Sequence, residues 1–336
     1  MHLARFPRVK LGHFPTPLEK LDNLTKALGG PDIYIKRDDC TGLATGGNKT
    51  RKLEFLVADA MAKGADALVT QGATQSNHVR QTAAAARKVG MTCHALLERR
   101  VENAGDNYET TGNVLLDDML RLEYAFRPNG SDMNTEAMAL ADSLREKGKK
   151  PYFIPGGGSN PVGALGYAQA AAELVYQADT IGLKIDKIVH ATGSAGTQAG
   201  LLAGLHAISA PIDVIGISVR AKREAQIANV HRLAVATADL IGVKAELPVE
   251  MVEAYDEYVG PGYGQPTDSM VDAISLLAAE EAIILDPVYS GKGMAGMIGL
   301  IQQGVLKKGE TVVFIHTGGS AALFAYEHLF SKQRRG

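Results

Sequence analysis

The sequence contains no tryptophan and only two cysteines, Cys40 and Cys93. Two cysteines cannot build a disulfide framework, which points to a reducing compartment. Aromatic residues are 6% of the chain, which argues against base-stacking platforms. The formal net charge of -2 leaves no basic footprint for nucleic acid. Met1–Lys20 holds no apolar core of signal-peptide length. No uncharged apolar run reaches the roughly 18 residues that a membrane span needs. His-Glu-x-x-His, Cys-x-x-Cys and Gly-x-Ser-x-Gly are absent, and His94, His190, His206 and His231 form no metal spacing. Zinc sites and the α/β-hydrolase elbow are thereby disfavoured. These absences predict a soluble, cytoplasmic protein without a metal, long enough at 336 residues for two domains.

Glycine, by contrast, is abundant: 37 residues, against a usual share of about 7%. It clusters at Gly46-Gly47, Gly156–Gly158, Gly193–Gly196 and Gly318-Gly319. Between the clusters, β-rich stretches alternate with helical ones. The strands are read at residues 33–37, 67–70, 91–97, 124–126, 151–155, 187–191, 213–219 and 311–316. Residues 18–28 read as a short amphipathic segment and residues 321–329 as a helix. The pattern predicts an α/β fold of open, twisted parallel sheets covered on both faces. Ligands of such sheets sit beyond the C-terminal strand ends, where the glycine clusters fall.

Gly46-Gly47-Asn48-Lys49-Thr50-Arg51-Lys52 reads as a sharp turn, a cap residue and a helix start. The helix dipole disfavours a structural cation at that end. Lys49 therefore suits a lysine that is neutral or converted to an imine. The alternative is that Lys49, Arg51 and Lys52 decorate a solvated first turn, and this stretch alone leaves both open. Thr192-Gly193-Ser194-Ala195-Gly196-Thr197 lies between a strand and a helix. Its small residues form either a backbone cradle for one phosphate or a tight turn without a ligand. It matches neither the Walker loop nor the dinucleotide fingerprint. Thr74, Gln75, Ser76 and Asn77, which enter another helix, suit a carboxylate, with capping by Ser76 or Asn77 compatible. Gly156–Asn160 reads as a hinge or a second anion-contacting loop. Tyr263 and Tyr289 each stand between turn residues, as reactive groups or as plugs. The Thr317 hydroxyl, after a strand, can meet a ring nitrogen of a ligand. One phosphate, one reactive lysine and a carboxylate site together suggest pyridoxal phosphate and an amino-acid substrate.

The motifs Ile35–Asp39, Gly46–Lys52, Gln75–His78, Thr192–Thr197, Asp286–Tyr289 and His316–Gly319 are similar to those of the fold-type II pyridoxal-phosphate enzymes, the tryptophan synthase β group. More narrowly, from Phe6 to Tyr326 the chain resembles the D-cysteine desulfhydrase / 1-aminocyclopropane-1-carboxylate deaminase / L-cysteate sulfo-lyase family. The resemblance implies Lys49 as the Schiff-base lysine and residues 193–197, with Thr192 and Lys52, around the phosphate. It implies Asn77 on the ring oxygen, Thr317 near the pyridine nitrogen, and Ser76 with Thr74, Gln75 and Gly158 toward the substrate. Tyr263 and Tyr289 would flank the substrate, and Ser76 and both tyrosines would act in catalysis beside Lys49. Arg51 is expected to be structural. The family also implies a homodimer and two domains: residues 50–159 inserted into a larger one made of residues 1–49 and 160–336. A neutral hydroxyl partner for the ring nitrogen favours elimination over transamination. Ser290 stands where the deaminase branch has glutamate, which disfavours ring-opening deamination. Thr45, Thr74 and the Gly156–Asn160 run resemble the sulfo-lyase branch, so the expected reaction is elimination of sulfite from L-cysteate, with sulfide from D-cysteine as the alternative. Arg220 is read as a surface arginine, with charge for a sulfonate as its other role.

Overall fold

The computed structural model describes residues 1–102, 104–243 and 246–330. In chain order its main elements are β1 (Leu18–Lys20), α1 (Asp22–Leu28), β2 (Asp32–Lys36), α2 (Lys49–Ala62), β3 (Ala67–Ala73), α3 (Asn77–Lys88), β4 (Thr92–Glu98), α4 (Asn113–Met119), β5 (Glu123–Arg127), α5 (Met133–Glu146), β6 (Pro151–Phe153), α6 (Pro161–Thr180), β7 (Lys187–Thr192), α7 (Gly196–Ala207), β8 (Asp213–Ser218), α8 (Arg223–Ile241), β9 (Glu253–Tyr255), α9 (Asp268–Glu281), α10 (Ser290–Gln302) and β10 (Thr311–Ile315). Six strands form one sheet in the order β1-β2-β10-β7-β8-β9, and four form another, β5-β4-β3-β6. All described pairings are parallel except β1 with β2.

Strand alternation explains why both faces of the larger sheet are covered. Val312 and Phe314 point to one side and pack with Met270, Ile274 and Leu277 of α9 and Met294, Met297 and Leu300 of α10. Val313 and Ile315 point to the other, toward Tyr167 and Leu174 of α6, Leu201 and Leu205 of α7 and Val230 of α8. In the smaller sheet, Leu68 and Leu97 meet Leu53, Leu56 and Val57 of α2 and Val79 of α3. Val69 and Leu96 meet α5 through Met133 and Ala137. Phe55 of α2 turns the opposite way, onto Leu165 and Ala168 of α6.

Three elements differ from the sequence-based expectations. Residues 18–28 split into an antiparallel edge strand and a helix, because Leu18–Lys20 finds the open edge of β2. The three-residue β9 is too short to carry a period. Ser320–Leu329 forms a 3-10 helix rather than an α-helix, with Tyr326 out of helical geometry.

Candidate active site

A cavity of about 300 Å³ lies beyond the C-terminal ends of β3, β7, β8 and β10. Lys49, the first residue of α2, lines it. The preceding turn requires glycine: Gly46 and Gly47 have φ of 78° and 132°, and a Cβ on Gly46 would stand 2.0 Å from the Asp39 carbonyl oxygen. Asn48 makes no side-chain cap. Its amide instead donates to Thr197 Oγ1 at 3.0 Å, and its Oδ1 accepts from Lys49 Nζ at 2.9 Å. Burial lowers the Lys49 amine to about 8, with Asp286 opposing the shift and Arg80 adding to it.

The solvated-turn reading does not survive: Arg51 and Lys52 are 2% and 0% exposed. Arg51 grips Asp38 at 2.8 Å through two nitrogens, and Glu173 at 2.9 and 2.8 Å. Tyr167 also donates to Asp38, and Lys36 to Glu173. Burial works against ionised Asp38, but the Arg51 charge overrides it and holds the carboxyl below its usual range. Lys52 differs. Its Nζ donates to the Gly157 carbonyl at 3.1 Å, and it makes no ion pair with an acid among the described residues. Burial, then the Lys49 charge, pushes it well below the ordinary lysine value.

Beside Lys52, residues 193–197 enter α7. Ala195 has a φ of 70°, and Ser159 Oγ bridges Ser194 Oγ at 2.9 Å and the Gly196 amide at 3.1 Å. Thr192, Gly193, Ser194, Ala195 and Thr197 line the cavity. Gly196 lies behind it, its ideal Cβ 2.9 Å from Lys52 Nζ. On the opposite wall, Ser76 caps α3 by accepting from the Val79 amide at 3.2 Å, and Asn77 follows it. Thr317 lines the cavity, and its carbonyl accepts from the Asn48 amide at 2.9 Å. Tyr263 and Tyr289 complete the wall, and burial raises both phenols above their usual value.

Thr74, Gln75 and Gly158 do not line the cavity, contrary to expectation. Thr74 Oγ1 donates to the Glu98 carbonyl at 3.3 Å. Both ends of the Gln75 amide are occupied, by the Tyr108 and Thr111 carbonyls and the Asn113 amide. Gly158 faces Leu56, 3.1 Å from its ideal Cβ. Thr45 is exposed. Ser290 is closed on Asp286, donating to Oδ1 at 2.6 Å while its oxygen accepts the Asp286 amide at 2.8 Å. Arg100 and Arg220 both line the cavity; nothing in the sequence singled out Arg100, one of two adjacent arginines after a strand. His78 lines it as well. Its Nε2 meets Thr70 Oγ1 at 2.8 Å, and burial keeps it neutral.

A family model described as pyridoxal-phosphate dependent enzyme matches residues 9–318. The chain belongs to this family. Like other pyridoxal-phosphate dependent enzymes, it uses that cofactor. It is 46% identical over 325 residues to a protein of Salmonella typhi named D-cysteine desulfhydrase, covering 97% of this chain and 98% of the relative. The D-cysteine desulfhydrase of Salmonella choleraesuis is 46% identical over 326 residues, with the same coverage. A solved structure of an ACC deaminase homologue shares 41% identity and a TM-score of 0.89, covering 98% of this chain and 97% of that one. An O-ureido-L-serine synthase, 18% identical with a TM-score of 0.66 over 97% and 95% of the chains, shares the fold. The cavity fits the family's cofactor. An ammonium buried without an acidic partner is costly, so burial lowers the Lys52 amine; it lies behind the cavity wall beside Gly196 at the start of α7, where a phosphate would supply the missing anion.

Proposed function

We propose that this chain is a pyridoxal-phosphate-dependent carbon–sulfur β-lyase that converts D-cysteine and water to pyruvate, ammonia and hydrogen sulfide. The observation that supports this substrate is the 46% identity, over nearly the full length, to proteins named D-cysteine desulfhydrase. In this reading residues 193–197, Thr192 and Lys52 would hold the phosphate, Asn77 would serve the ring oxygen and Thr317 the ring nitrogen. When bound, the cofactor supplies an electron sink that makes heterolytic cleavage at Cα feasible.

The protein's own groups supply the rest. Lys49 Nζ, the amine that lines the cavity, would hold the cofactor covalently and, when free, would serve as the base for the substrate α-proton. An amine at about 8 is a competent base near neutral pH. The Ser76 hydroxyl, whose oxygen already caps α3, keeps its hydrogen for the substrate carboxylate. Tyr289 and Tyr263, raised by burial, stay protonated, and their linked hydroxyls can protonate the departing sulfur. Ser290 Oγ is engaged by Asp286 on both its donor and acceptor sides, so it offers no acid for ring opening.

L-Cysteate, with sulfite as leaving group, is the second reading. Thr45 and Thr74, which pointed to it, lie outside the cavity, but Arg100 and Arg220 in the wall would suit a sulfonate. Incubation with D-cysteine and with L-cysteate separately, assaying sulfide, sulfite and pyruvate, decides between them. Sulfide and pyruvate from D-cysteine are expected; sulfite from L-cysteate without sulfide from D-cysteine reverses the order. A non-catalytic ligand binder predicts no turnover of either. Lys49→Ala is expected to lose both colour and turnover, and retained turnover overturns the role given to Lys49.

A further inference from the structure

Arg80 is completely buried on α3, yet it does not bond the acid nearest to it in electrostatic effect. That acid, Asp117 of α4, has no hydrogen-bond partner on either carboxylate oxygen, and Arg80 Nε has none either. The guanidinium reaches the active site instead. One terminal nitrogen donates to Asn77 Oδ1 at 3.1 Å and also to Asn113 Oδ1. The other donates to the Gly46 carbonyl at 2.8 Å. Asn113 Nδ2 in turn donates to Asn77 Oδ1 at 2.9 Å.

The orientation of each amide follows from this arrangement rather than from atom labels. A guanidinium only donates, so both amide oxygens must face it. The remaining NH2 of Asn113 then meets the Asn77 oxygen. With two donors on its oxygen, Asn77 cannot turn over, and its Nδ2 points away from them toward Gly319, 2.6 Å from the ideal Cβ there. Asn77 itself lines the cavity.

We propose that Arg80 and Asn113 are positioning residues that hold Asn77 with its hydrogen-bond donor toward the cofactor's ring oxygen, while Arg80 also anchors the turn before Lys49. The inference rests on the reading of Asn77 as a cofactor-contacting residue. A donor at that oxygen stabilises its ionised form, which carries the cofactor's long-wavelength band.

The test uses the whole enzyme, reading the ratio of visible to near-ultraviolet cofactor bands and the affinity of the apo form for pyridoxal phosphate. Asn113→Asp preserves shape and gives Arg80 a carboxylate, but presents Asn77 with an acceptor in place of a donor. We expect this variant to fold as the parent does, to lose visible band intensity, and to bind cofactor about tenfold more weakly. Arg80→Lys, with a single nitrogen, is expected to change the bands in the same direction; if it does not fold, Asn113→Asp decides alone. Asn77→Ala serves as the reference. If Asn77→Ala alters the bands while Asn113→Asp matches the parent in both readouts, the positioning role is overturned and the contact stands. If Asn77→Ala leaves the bands unchanged, the contact itself fails, and the inference with it.

Discussion

The hydroxyl oxygens of Tyr263 and Tyr289 stand 2.7 Å apart, with their rings inclined at 75°. Arg100 lies 5.3 Å from the Tyr263 ring centroid, and Lys49 Nζ lies 5.9 Å from that of Tyr289. In the proposed mechanism two phenols so linked would act as one donor, since whichever loses a proton can be resupplied by the other. Tyr289→Phe keeps the ring beside Lys49 and removes the link. We expect kcat to fall about a hundredfold or more, with the cofactor spectrum intact. Steady-state kinetics of Tyr289→Phe and Tyr263→Phe check this, and wild-type kcat in both excludes the pair as a proton source.

If Lys49 captures the cofactor, as proposed, capture should depend on pH. Capture needs the neutral amine, which burial makes available near pH 8 rather than near the ordinary lysine value of 10.5. Mixing apo enzyme with pyridoxal phosphate at a series of pH values is expected to give a rate that rises and levels off above about 8. The same shift acts on stability. Between about 8 and 10.5 the unfolded chain holds a proton on this lysine that the folded chain has released. Apo stability therefore gains from Lys49 as pH rises through that window. Lys49→Met should lose this gain while keeping the similar one from Lys292, whose amine burial also lowers to about 8. Equal pH slopes for parent and variant in denaturant unfolding would refute the assignment.

Arg51→Met tests the buried network beneath the site. Removal of the guanidinium leaves the Asp38 and Glu173 carboxylates with Lys36 as their remaining cation and the neutral donors of Tyr167 and Thr16. Breaking such a pair costs about 3–5 kcal/mol. Denaturant unfolding of the apo protein should show a loss of this size, and a change below about 1 kcal/mol would place the network among exposed ion pairs in energetic terms.

Gly196→Ala separates cofactor binding from folding. The new Cβ would stand 2.6 Å from Ser159 Oγ and 3.1 Å from Ser159 Cα, so the Ser159 loop must shift. Alanine is otherwise welcome in a helix, by up to about 1 kcal/mol over glycine. We expect near-parental stability of the apo form and about tenfold weaker cofactor binding, measured by fluorescence titration. Unchanged affinity would remove residues 193–197 from the phosphate site.

Much of this arrangement was legible in the sequence because it is local. The alternation of strands and helices, the glycine turn before Lys49 and the small-residue run at 192–197 are each written in consecutive residues. What escaped depends on packing between distant segments. Arg51 and Lys52 look alike as neighbours on a first turn, and only the family resemblance tells them apart; in the structure Asp38 and Glu173 of α6 give one its acids, while the other reaches the Gly157 carbonyl. Gln75 has the side chain of a ligand donor, but the carbonyls of Tyr108 and Thr111 take it. Arg80 looks like a solvated helix residue until α4 closes over it with Asn113. Asn48 has the residue type of a cap, yet Thr197 provides a better partner.

Helix α2 presents Leu53, Leu56 and Val57 to the smaller sheet and Phe55 to α6 of the larger layer. The lysine at its tip therefore has no allegiance to one half of the molecule. A chimera that imported residues 50–159 from a relative would have to import a surface matched to Leu165 and Ala168 as well. Recombination across this fold thus has to respect one helix whose two sides must be compatible with different parents.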